Sequence, residues 1–300
     1  TKIDSIINHN LATKKIVIGG TSAGMAIQGG FYFSAQNGSV TTAEALNDPY
    51  NVYMTVDSAS FLKNKYLGNV ITDTHYDDPD RRGRHVTFLA RILKDWGIDA
   101  KGIACDEYTA VCIDTLGLAR CYGDYPAYDE DIYFLQTNCE LTQNGPENCS
   151  AGNELNWNRN GQAVKVYRVK GTQNGSNTFN LVDWKTGSGG TWEHWYVSNG
   201  VFQTGSGTEP NCTLVSLSEN SLSAARLYPN PVSDGVLTLE LTSDEQVDIT
   251  IYDVQGKQLK FWKGNRAPVF SINVSAFEPG FYFVELKTGT GSAIQKMIIK

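Results

Sequence analysis

The sequence predicts an α/β domain with a parallel sheet, followed by a small all-β sandwich. Residues 14–18, KKIVI, end at two glycines, which is typical of a strand that is buried on both faces of a sheet. An apolar run over 67–73 and an amphipathic pattern over 84–96 follow, and this alternation indicates parallel strands joined by helical crossovers. Residues 227–300 instead carry a series of short strand patterns, which indicates a separate β-sandwich.

The composition of the 300 residues excludes several classes of protein. The net charge of -7 comes without any block of basic residues, so we expect no nucleic acid as a partner. No apolar run reaches the roughly 18 residues of a membrane-spanning helix. The six cysteines form no CxxC pattern, so the sequence predicts no zinc site, and no motif implies a metal or a cofactor.

The remaining elements of the first domain follow in order. The strand over 14–18 is expected to lead into a helix that begins at Ala23. In the predicted helix over 84–96, apolar residues recur on one face at helical spacing. The next segment predicts a strand, a two-residue turn at Leu116–Gly117 and a second strand.

Two polar segments interrupt the pattern of predicted strands and helices. Residues 122–162 are polar and aromatic with little periodicity, and they are predicted to form a long surface insertion. The Gly, Ser and Asn residues of 204–226 predict a linker between a domain over 1–203 and the sandwich over 227–300. A strand that leads into a catalytic turn is usually central in its sheet, yet few residues precede this one. We therefore expect the first domain to be the C-terminal part of a larger one, whose N-terminal part is missing or lies on a companion chain.

The turn after the first predicted strand carries a catalytic motif. Residues 20–24, GTSAG, match G-x-S-x-G between a predicted strand and a predicted helix. Such a sharp turn exposes the hydroxyl of Ser22 as a nucleophile. The backbone amide of Ala23, at the start of the helix, is then placed to donate a hydrogen bond to an oxyanion.

A nucleophilic serine needs a general base, and the chain has four histidines. His75 ends an apolar run, so we predict it at the same rim of the sheet as Ser22. His85 begins the amphipathic helix and is interpreted as a solvated or capping residue, while His9 lies upstream in a short helical stretch. His194 lies between two tryptophans and is interpreted as a packing residue. His75 is therefore the predicted base.

The base in turn needs a carboxylate that fixes its tautomer. Of the acids between Ser22 and His75, Glu44 follows a polar stretch at the predicted rim, and we predict it as the third catalytic residue. Asp73 lies two residues before His75 and shares its strand face. Its carboxylate suits this role or the binding of a substrate cation.

Three motifs in this order resemble cyanophycinase and its dipeptidase E relatives: GGTSAGMAIQGG, DTHY followed by RRGRH, and GIACDEYTAV. The resemblance covers about residues 14–203. It implies a glutamine-amidotransferase-like fold with a parallel sheet and a serine peptidase activity that needs no cofactor. It also implies Ser22 as the nucleophile, His75 as the base and Glu44 as the third member.

The same resemblance implies a substrate class. Cyanophycin is a poly-aspartate chain that carries arginines, so its recognition needs carboxylates for guanidinium groups and arginines for free carboxylates. Asp73, Arg82 and Arg84 are the matching candidates for substrate binding. Asp106 and Glu107, in the third motif, are interpreted as supporting residues behind the catalytic ones.

The last segment of the chain resembles a known secretion signal. Residues 227–300 are similar to the type A C-terminal sorting domain of the type IX secretion system, through LYPNP, ITIYDVQGKQL and FEPGFYFVELKT. The resemblance implies the type IX secretion machinery as a partner. It also implies export through the periplasm, so that the protein is secreted or held at the cell surface. An ordinary β-sandwich binding module is the alternative.

The cysteines predict two disulfides. Across the predicted two-residue turn, Cys112 and Cys121 lie directly opposite in a non-hydrogen-bonded pair, where a bridge can form. Cys139 and Cys149, within the predicted insertion, would form a second bridge. Cys105 and Cys212 remain, and Cys105 is predicted to be a buried thiol.

The sequence therefore predicts a secreted serine peptidase of the cyanophycinase type, which hydrolyses cyanophycin or related Asp-containing peptides through an acyl-enzyme. An aspartyl dipeptidase of the dipeptidase E type stays open. So does a surface protein that keeps the fold without turnover and binds a ligand on the aromatic residues of 122–162. The presence of both Ser22 and His75 favours an enzyme.

Overall fold

The computed structural model describes residues 2–14, 16–58, 61–212, 225–241, 246–253, 256–265, 269–287 and 292–300. The chain forms two compact units, residues 1–212 and residues 213–300, which we call unit 1 and unit 2. Unit 1 carries every motif of the predicted active site.

Unit 1 contains short helices and twelve strands in its described residues. The helices are α1 (Lys2–Lys14), α2 (Ala23–Ala26), α3 (Thr42–Asn47) and α4 (Arg82–Trp96), with a 3-10 turn at Arg159–Gly161. The strands are β1 (Phe31–Phe33), β2 (Val56–Ser58), β3 (Val70–Thr74), β4 (Lys101–Cys105), β5 (Ala110–Ile113), β6 (Leu118–Tyr122), β7 (Asp131–Thr137), β8 (Val164–Lys170), β9 (Asn177–Asn180), β10 (Gly187–Ser188), β11 (Gly190–Ser198) and β12 (Val201–Ser206).

The main sheet of unit 1 has eight strands in the order β12-β11-β8-β7-β4-β3-β1-β2. Strand β3 pairs in parallel with β1 and β4, and the other neighbours pair antiparallel. The structure is mostly β-sheet, so the predicted parallel-sheet, glutamine-amidotransferase-like α/β fold is wrong. The sequence pattern correctly indicates one parallel crossover, β3-α4-β4, but most of the later strands follow one another without a helix between them. Antiparallel pairing needs only a short connection.

The predicted first strand over 14–18 is also wrong. Residues 16–20 form no strand, and residue 15 lies outside the described residues. Val17 is 98% exposed, whereas a strand buried on both faces would hide it. An apolar run becomes a strand only where neighbouring strands take up its backbone hydrogen bonds, and the parallel neighbours of β3 are instead β1 and β4. The turn that carries Ser22 therefore follows an exposed segment.

Unit 1 has three layers. Helix α4 covers one face of the main sheet, and a second sheet, β10-β9-β6-β5, covers the other. Strand β7 contributes to both interfaces, since successive side chains of a strand point to opposite faces. Tyr133 and Leu135 belong to the core on the α4 side, while Ile132 and Phe134 belong to the core under the second sheet. The buried strands β3, β4 and β7 therefore form the centre of unit 1.

The segment 122–162 is not a surface insertion. It contains β7, of which all seven residues are buried, and the fully buried Trp157. An acidic residue, Asp131, begins this strand, and it is accommodated because Arg168 of β8 binds its carboxylate. Because polar residues flank β7 in the sequence, the local pattern does not indicate this central strand.

The predicted linker over 204–226 begins too early. Strand β12 extends to Ser206, and the fully buried side chain of Lys165 donates a hydrogen bond of 3.2 Å to the carbonyl of Thr208. Cys212 is then bound covalently to Cys139. The chain is thus anchored on unit 1 up to Cys212, and residues 213–224 of the predicted linker lie outside the described residues.

Strands β5 and β6 form the predicted hairpin, but with a different register. Cys112 pairs with Arg120, and Val111 pairs with Cys121. A shift of one residue turns a side chain to the opposite face of the sheet, so Cys112 is exposed while Cys121 is buried. Both are free thiols, and the predicted bridge between them is wrong.

Asp114 sets the register of this hairpin. Its carboxylate accepts hydrogen bonds from the backbone N–H groups of Leu116 and Leu118, at 2.8 and 3.0 Å. Aspartate stabilises turns in this way, and here it produces a longer turn than the two-residue one expected at Leu116–Gly117. One side-chain interaction therefore changes which residues face each other.

The second predicted bridge is wrong as well. Cys139 pairs with Cys212, 73 residues later, and Cys149 is a buried free thiol. Cys105 is buried and free, as predicted. Spacing along the chain could not indicate this pairing, because 73 residues separate the two partners and the fold brings them together.

Unit 2 consists of two antiparallel sheets around one core. Its strands are β13 (Ala225–Tyr228), β14 (Val236–Leu241), β15 (Val247–Tyr252), β16 (Gln258–Asn265), β17 (Val269–Asn273), β18 (Gly280–Lys287) and β19 (Ser292–Ile299). The sheet orders are β13-β14-β17 and β16-β15-β18-β19. Leu237 and Leu239 from the first sheet and Ile249, Val284 and Met297 from the second belong to the same buried cluster. Unit 2 therefore has a core of its own.

Candidate active site

Ser22 lies in a tight turn immediately before α2. Its backbone has a φ of 52° and a ψ of -124°, a region that residues other than glycine rarely occupy. The turn requires Gly20, because a Cβ there would overlap the backbone of Gly24. Thr72 of β3 fixes α2 in place by donating a hydrogen bond of 2.7 Å to the carbonyl of Met25. The Ser22 hydroxyl is thereby held beside the end of β3.

His75 directly follows β3 and contacts Ser22. The distance from His75 Nε2 to Ser22 Oγ is 3.0 Å. On its other side, His75 Nδ1 lies 2.7 Å from Oε1 of Glu107. With a proton on Nδ1, the ring donates to Glu107 and can accept the Ser22 proton at Nε2. The three side chains form a Ser-His-Glu arrangement that is open to solvent, since 45% of the His75 side chain is exposed.

The parallel pairing of two strands brings Glu107 to His75. Thr74, the last residue of β3, pairs with Cys105, the last residue of β4. The residues that follow these strands therefore leave the sheet at the same edge. Sequence analysis assigned Glu107 a supporting role. The signal that could have identified it is its place directly after the strand adjacent to that of His75.

The structure does not bring Glu44 to His75. Glu44 lies in the first turn of α3, where its carboxylate accepts hydrogen bonds from the N–H and the hydroxyl of Thr41, at 2.9 and 2.8 Å. The Thr41 hydroxyl accepts from the Glu44 amide in return, which completes a capping box. These hydrogen bonds lower the pKa of the Glu44 carboxyl. Glu44 stabilises the start of a helix, and Glu107 takes the position expected for it.

Asp73 and Arg84 bind each other rather than the solvent. Arg84 Nε donates a hydrogen bond of 3.0 Å to Asp73 Oδ2, and its Nη2 donates to Asp73 Oδ1. The two side chains are only 6% and 3% exposed. Arg84 also donates to the carbonyl of Val40. Because both charges are paired inside the core, neither side chain is available to a substrate, which corrects their predicted binding role.

Arg82 is at the surface, and its charge is already paired. Its Nε and Nη2 donate to the two carboxylate oxygens of Asp80, at 2.9 and 2.6 Å, and its guanidinium lies over the ring of Phe202. A substrate carboxylate would have to compete with this two-pronged contact. Arg82 is therefore a weaker anion-binding candidate than the sequence alone indicates.

Arg81, which the sequence analysis did not consider, is the better candidate. It is half-buried, and its Nη1 donates a hydrogen bond of 2.9 Å to the carbonyl of Thr74, the residue before His75. Burial and the nearby charge of Arg84 lower its pKa. Within the described ranges, no carboxylate forms an ion pair with it. Arg81 therefore offers a cation beside His75 that a substrate anion can use.

Ala23 occupies the position predicted for an oxyanion donor. It is the first residue of α2, directly after Ser22, and it is exposed. Backbone N–H groups in the first turn of a helix have no acceptor within that helix. The Ala23 amide is therefore free to donate to an oxygen atom bound at Ser22.

A second carboxyl group tunes Glu107. The side chain of Asp77 shares a hydrogen bond with Glu107, which lowers the pKa of Glu107 and raises that of Asp77. The hydrogen bond from His75 lowers the pKa of Glu107 further. Glu107 is thus held as a carboxylate. Next to it, burial raises the pKa of Asp106 to about 7.

The other three histidines lie elsewhere. His85 is fully buried on α4, with Nδ1 3.1 Å from the hydroxyl of Tyr76, so it is neither solvated nor a cap. Burial lowers its pKa to about 4, so its ring is neutral at pH 7. His194 is buried in β11, and burial lowers its pKa as well. His9 is exposed on α1. Among the described histidines, only His75 is hydrogen-bonded to Ser22.

The strands of unit 2 correspond to a known domain family. Residues 226–300 match the family model described as a secretion system C-terminal sorting domain. This segment is a type IX sorting domain. The sorting domain makes the type IX secretion machinery a partner of the protein, which is secreted or held at the cell surface.

The family match lies entirely within unit 2. No curated protein matches the chain. In the described part of the chain, no helix is both long and apolar enough to cross a membrane.

Proposed function

We propose that unit 1 is a serine peptidase that hydrolyses Asp-containing peptides through an acyl-enzyme. The observation that carries the proposal is the hydrogen-bonded series from Ser22 Oγ through His75 to Glu107, with separations of 3.0 and 2.7 Å. The strained backbone of Ser22 supports it, because such strain occurs where a side chain must be aimed. The likeness of the GTSAG and DTHY motifs to cyanophycinase and dipeptidase E supports the same chemistry.

In the first half of the reaction, Ser22 acts as the nucleophile. His75 Nε2 accepts the hydroxyl proton while Ser22 Oγ attacks the carbonyl carbon of the scissile bond. Negative charge forms on the carbonyl oxygen, and this oxygen accepts a hydrogen bond from the Ala23 amide. Glu107 stabilises the protonated ring through His75 Nδ1. His75 then gives its proton to the leaving amine, and an ester on Ser22 remains.

In the second half, water resolves this ester. His75 accepts a proton from water, and the resulting hydroxide equivalent attacks the acyl carbon. The proton returns to Ser22 Oγ as the carboxylic acid product leaves. Because all steps use groups of this chain and water, the reaction requires no further reactant.

Arg81 supports a substrate that carries a carboxylate close to the scissile bond. Its guanidinium is next to the residue that precedes His75, and it forms no ion pair with a described acid. Arginine binds carboxylates through two parallel hydrogen bonds, which fixes orientation as well as affinity. An aspartyl residue, with its carboxylates a few bonds from the reacting carbonyl, fits this arrangement.

A covalent probe tests the proposal without knowledge of the substrate. A fluorophosphonate should label the full-length protein at Ser22, with the site identified by peptide mass spectrometry. Hydrolysis of cyanophycin and of Asp-containing dipeptides should fall by at least about 10³-fold in Ser22→Ala. The loss of one exposed hydroxyl should leave the melting temperature unchanged.

Two variants complete this experiment. Ser206→Ala removes an exposed hydroxyl from β12 and should be labelled as the wild type is. His75→Ala should abolish labelling, because the hydroxyl is then not activated. Labelling of another residue, or equal turnover by Ser22→Ala, would exclude the serine mechanism.

A further inference from the structure

Three carboxylates form a cluster beside the Ser-His-Glu arrangement. Asp77, Asp106 and Glu130 each offer one oxygen, and these oxygens all lie within 4.8 Å of one another. Asp77 follows β3, Asp106 follows β4, and Glu130 immediately precedes β7. The cluster therefore joins three loops at one edge of the main sheet.

Asp106 contributes a buried oxygen atom without a hydrogen-bond partner among the described residues. The residue is only 5% exposed. Its Oδ2 accepts a hydrogen bond of 2.9 Å from the backbone N–H of Asp131, whereas its buried Oδ1 has no hydrogen-bond partner among the described residues. A buried carboxylate oxygen without a partner is costly, and native structures rarely leave one unsatisfied. A cation bound to this oxygen would satisfy it.

Nearby basic side chains are engaged elsewhere. Arg168 of β8 binds the carboxylate of Asp131. Lys170, on the same strand, lies 2.8 Å from Asp129 and 2.9 Å from Asp131. Neither forms an ion pair with a member of the cluster in the described part of the chain. Neither basic side chain therefore neutralises the carboxyl groups of the cluster, which leaves that role to a bound ion.

We propose that Asp77, Asp106 and Glu130 bind one Ca²⁺ ion. The donors are all carboxylate oxygens, which hard divalent cations prefer, and the cluster contains no nitrogen or sulfur ligand. Ca²⁺ binds oxygen at about 2.3–2.6 Å, so two oxygens on one ion are at most about 5 Å apart. The limit of 4.8 Å observed here falls within this range. Asp77 is exposed, which leaves room for the water ligands that complete the coordination of Ca²⁺.

The position of this calcium site gives it a role in unit 1. Asp77 lies two residues after His75, and Asp106 immediately precedes Glu107. A shared ion would therefore fix the two loops that carry the base and its carboxylate partner. This role depends on the proposed function, whereas the binding of Ca²⁺ does not.

Calorimetry on the full-length protein tests the site directly. Protein stripped with EDTA and dialysed should bind one equivalent of Ca²⁺, and Ca²⁺ should raise its melting temperature. Because the titration is performed on Ser22→Ala as well as on the wild type, the binding result is independent of turnover. Failure to bind Ca²⁺ up to about 10 mM, roughly tenfold above the dissociation constants of the weakest natural calcium sites, would overturn the proposal.

Three variants assign the ligands. Glu130→Gln and Asp106→Asn, each of which removes one charged ligand, should weaken Ca²⁺ binding by at least about tenfold. Asp129→Asn is the matched control, because Asp129 is exposed in the same loop and binds Lys170 outside the cluster, and it should bind Ca²⁺ like the wild type. Glu130 is less buried than Asp106, so Glu130→Gln still tests the site if Asp106→Asn fails to fold. Wild-type affinity in both Glu130→Gln and Asp106→Asn would show that the ion binds elsewhere and would overturn the proposal.

Discussion

Three residues at the candidate site have backbone conformations that residues other than glycine rarely adopt. Ser22, His75 and Tyr108, which follows Glu107, have φ values of 52°, 50° and 60°. Each such conformation costs on the order of 1–3 kcal/mol and persists only where the surrounding structure holds it. Here the strain lies in the three loops that carry Ser22, His75 and Glu107. The fold tolerates it to direct three side chains toward one point.

Glu107 and Glu44 allow the carboxylate role to be tested by the same chemical change at two places. Glu107→Gln should lower the kcat of peptide hydrolysis by about 10²–10⁴-fold, because an amide cannot stabilise the protonated His75 ring. Glu44→Gln should leave kcat unchanged and slightly lower stability, since Glu44 caps α3. Steady-state kinetics and urea unfolding of both variants provide the measurements. The opposite pattern, with activity lost only in Glu44→Gln, would restore Glu44 as the third member.

The difference between these two acids shows what the sequence can indicate at the scale of one residue. Ser22 and His75 are predicted from local signals, because a motif and the end of an apolar run mark them. The identity of the acid depends on which strands are neighbours, and only the parallel pairing of β3 with β4 brings Glu107 to His75. The TAE segment after Thr41 is a capping signal, which explains Glu44 without catalysis.

At the scale of single elements, the hairpin β5-β6 shows how one turn residue controls a prediction. The sequence correctly predicts two strands and a turn, but the carboxylate of Asp114 lengthens the turn. The side-chain period of a strand is two residues, so a shift of one residue places Cys112 and Cys121 on opposite faces. A disulfide prediction that depends on register is therefore less secure than the prediction of the hairpin itself.

The disulfide between Cys139 and Cys212 gives a prediction about stability. Cys139→Ser should lower the free energy of unfolding by about 4 kcal/mol, because the bridge to Cys212 closes a loop of 73 residues in the unfolded chain. Cys112→Ser is the control and should have little effect, since this thiol is exposed and unpaired. Urea unfolding measures both. Non-reducing peptide mapping that linked Cys139 to Cys149, or Cys112 to Cys121, would contradict the structure.

For the whole molecule, the sequence indicates the boundary between unit 1 and unit 2 better than it indicates the pairing of strands within unit 1. The division near the Gly- and Ser-rich segment is visible in the composition, because few apolar residues can pack there. The mixed sheet is not visible, since the four apolar residues of a strand such as β7 are compatible with either a parallel or an antiparallel sheet. A buried acid at the start of β7 needs a partner on another strand, and no local pattern shows that partner.

Cutting the chain after Cys212 tests whether the units are independent. The shortened protein should keep its fold and its kcat/KM within about twofold, because both cores of unit 1 and its disulfide lie within residues 1–212. Cells should retain it in the periplasm, since it lacks the sorting domain. Melting curves, peptide hydrolysis and the fraction of protein outside the cell are the three measurements. Export of the shortened protein would show that another segment carries the address.

The oxidation state of Cys139 and Cys212 also reports whether a molecule of the protein has left the cytoplasm. Disulfides form in the periplasm, whereas cysteines are kept reduced in the cytosol. A molecule that has not left the cytoplasm therefore carries two free thiols at these positions. After it has left, the same two sulfur atoms no longer react with an alkylating reagent. The mass added by that reagent therefore distinguishes young molecules from exported ones, without a label and without separation of the cell compartments.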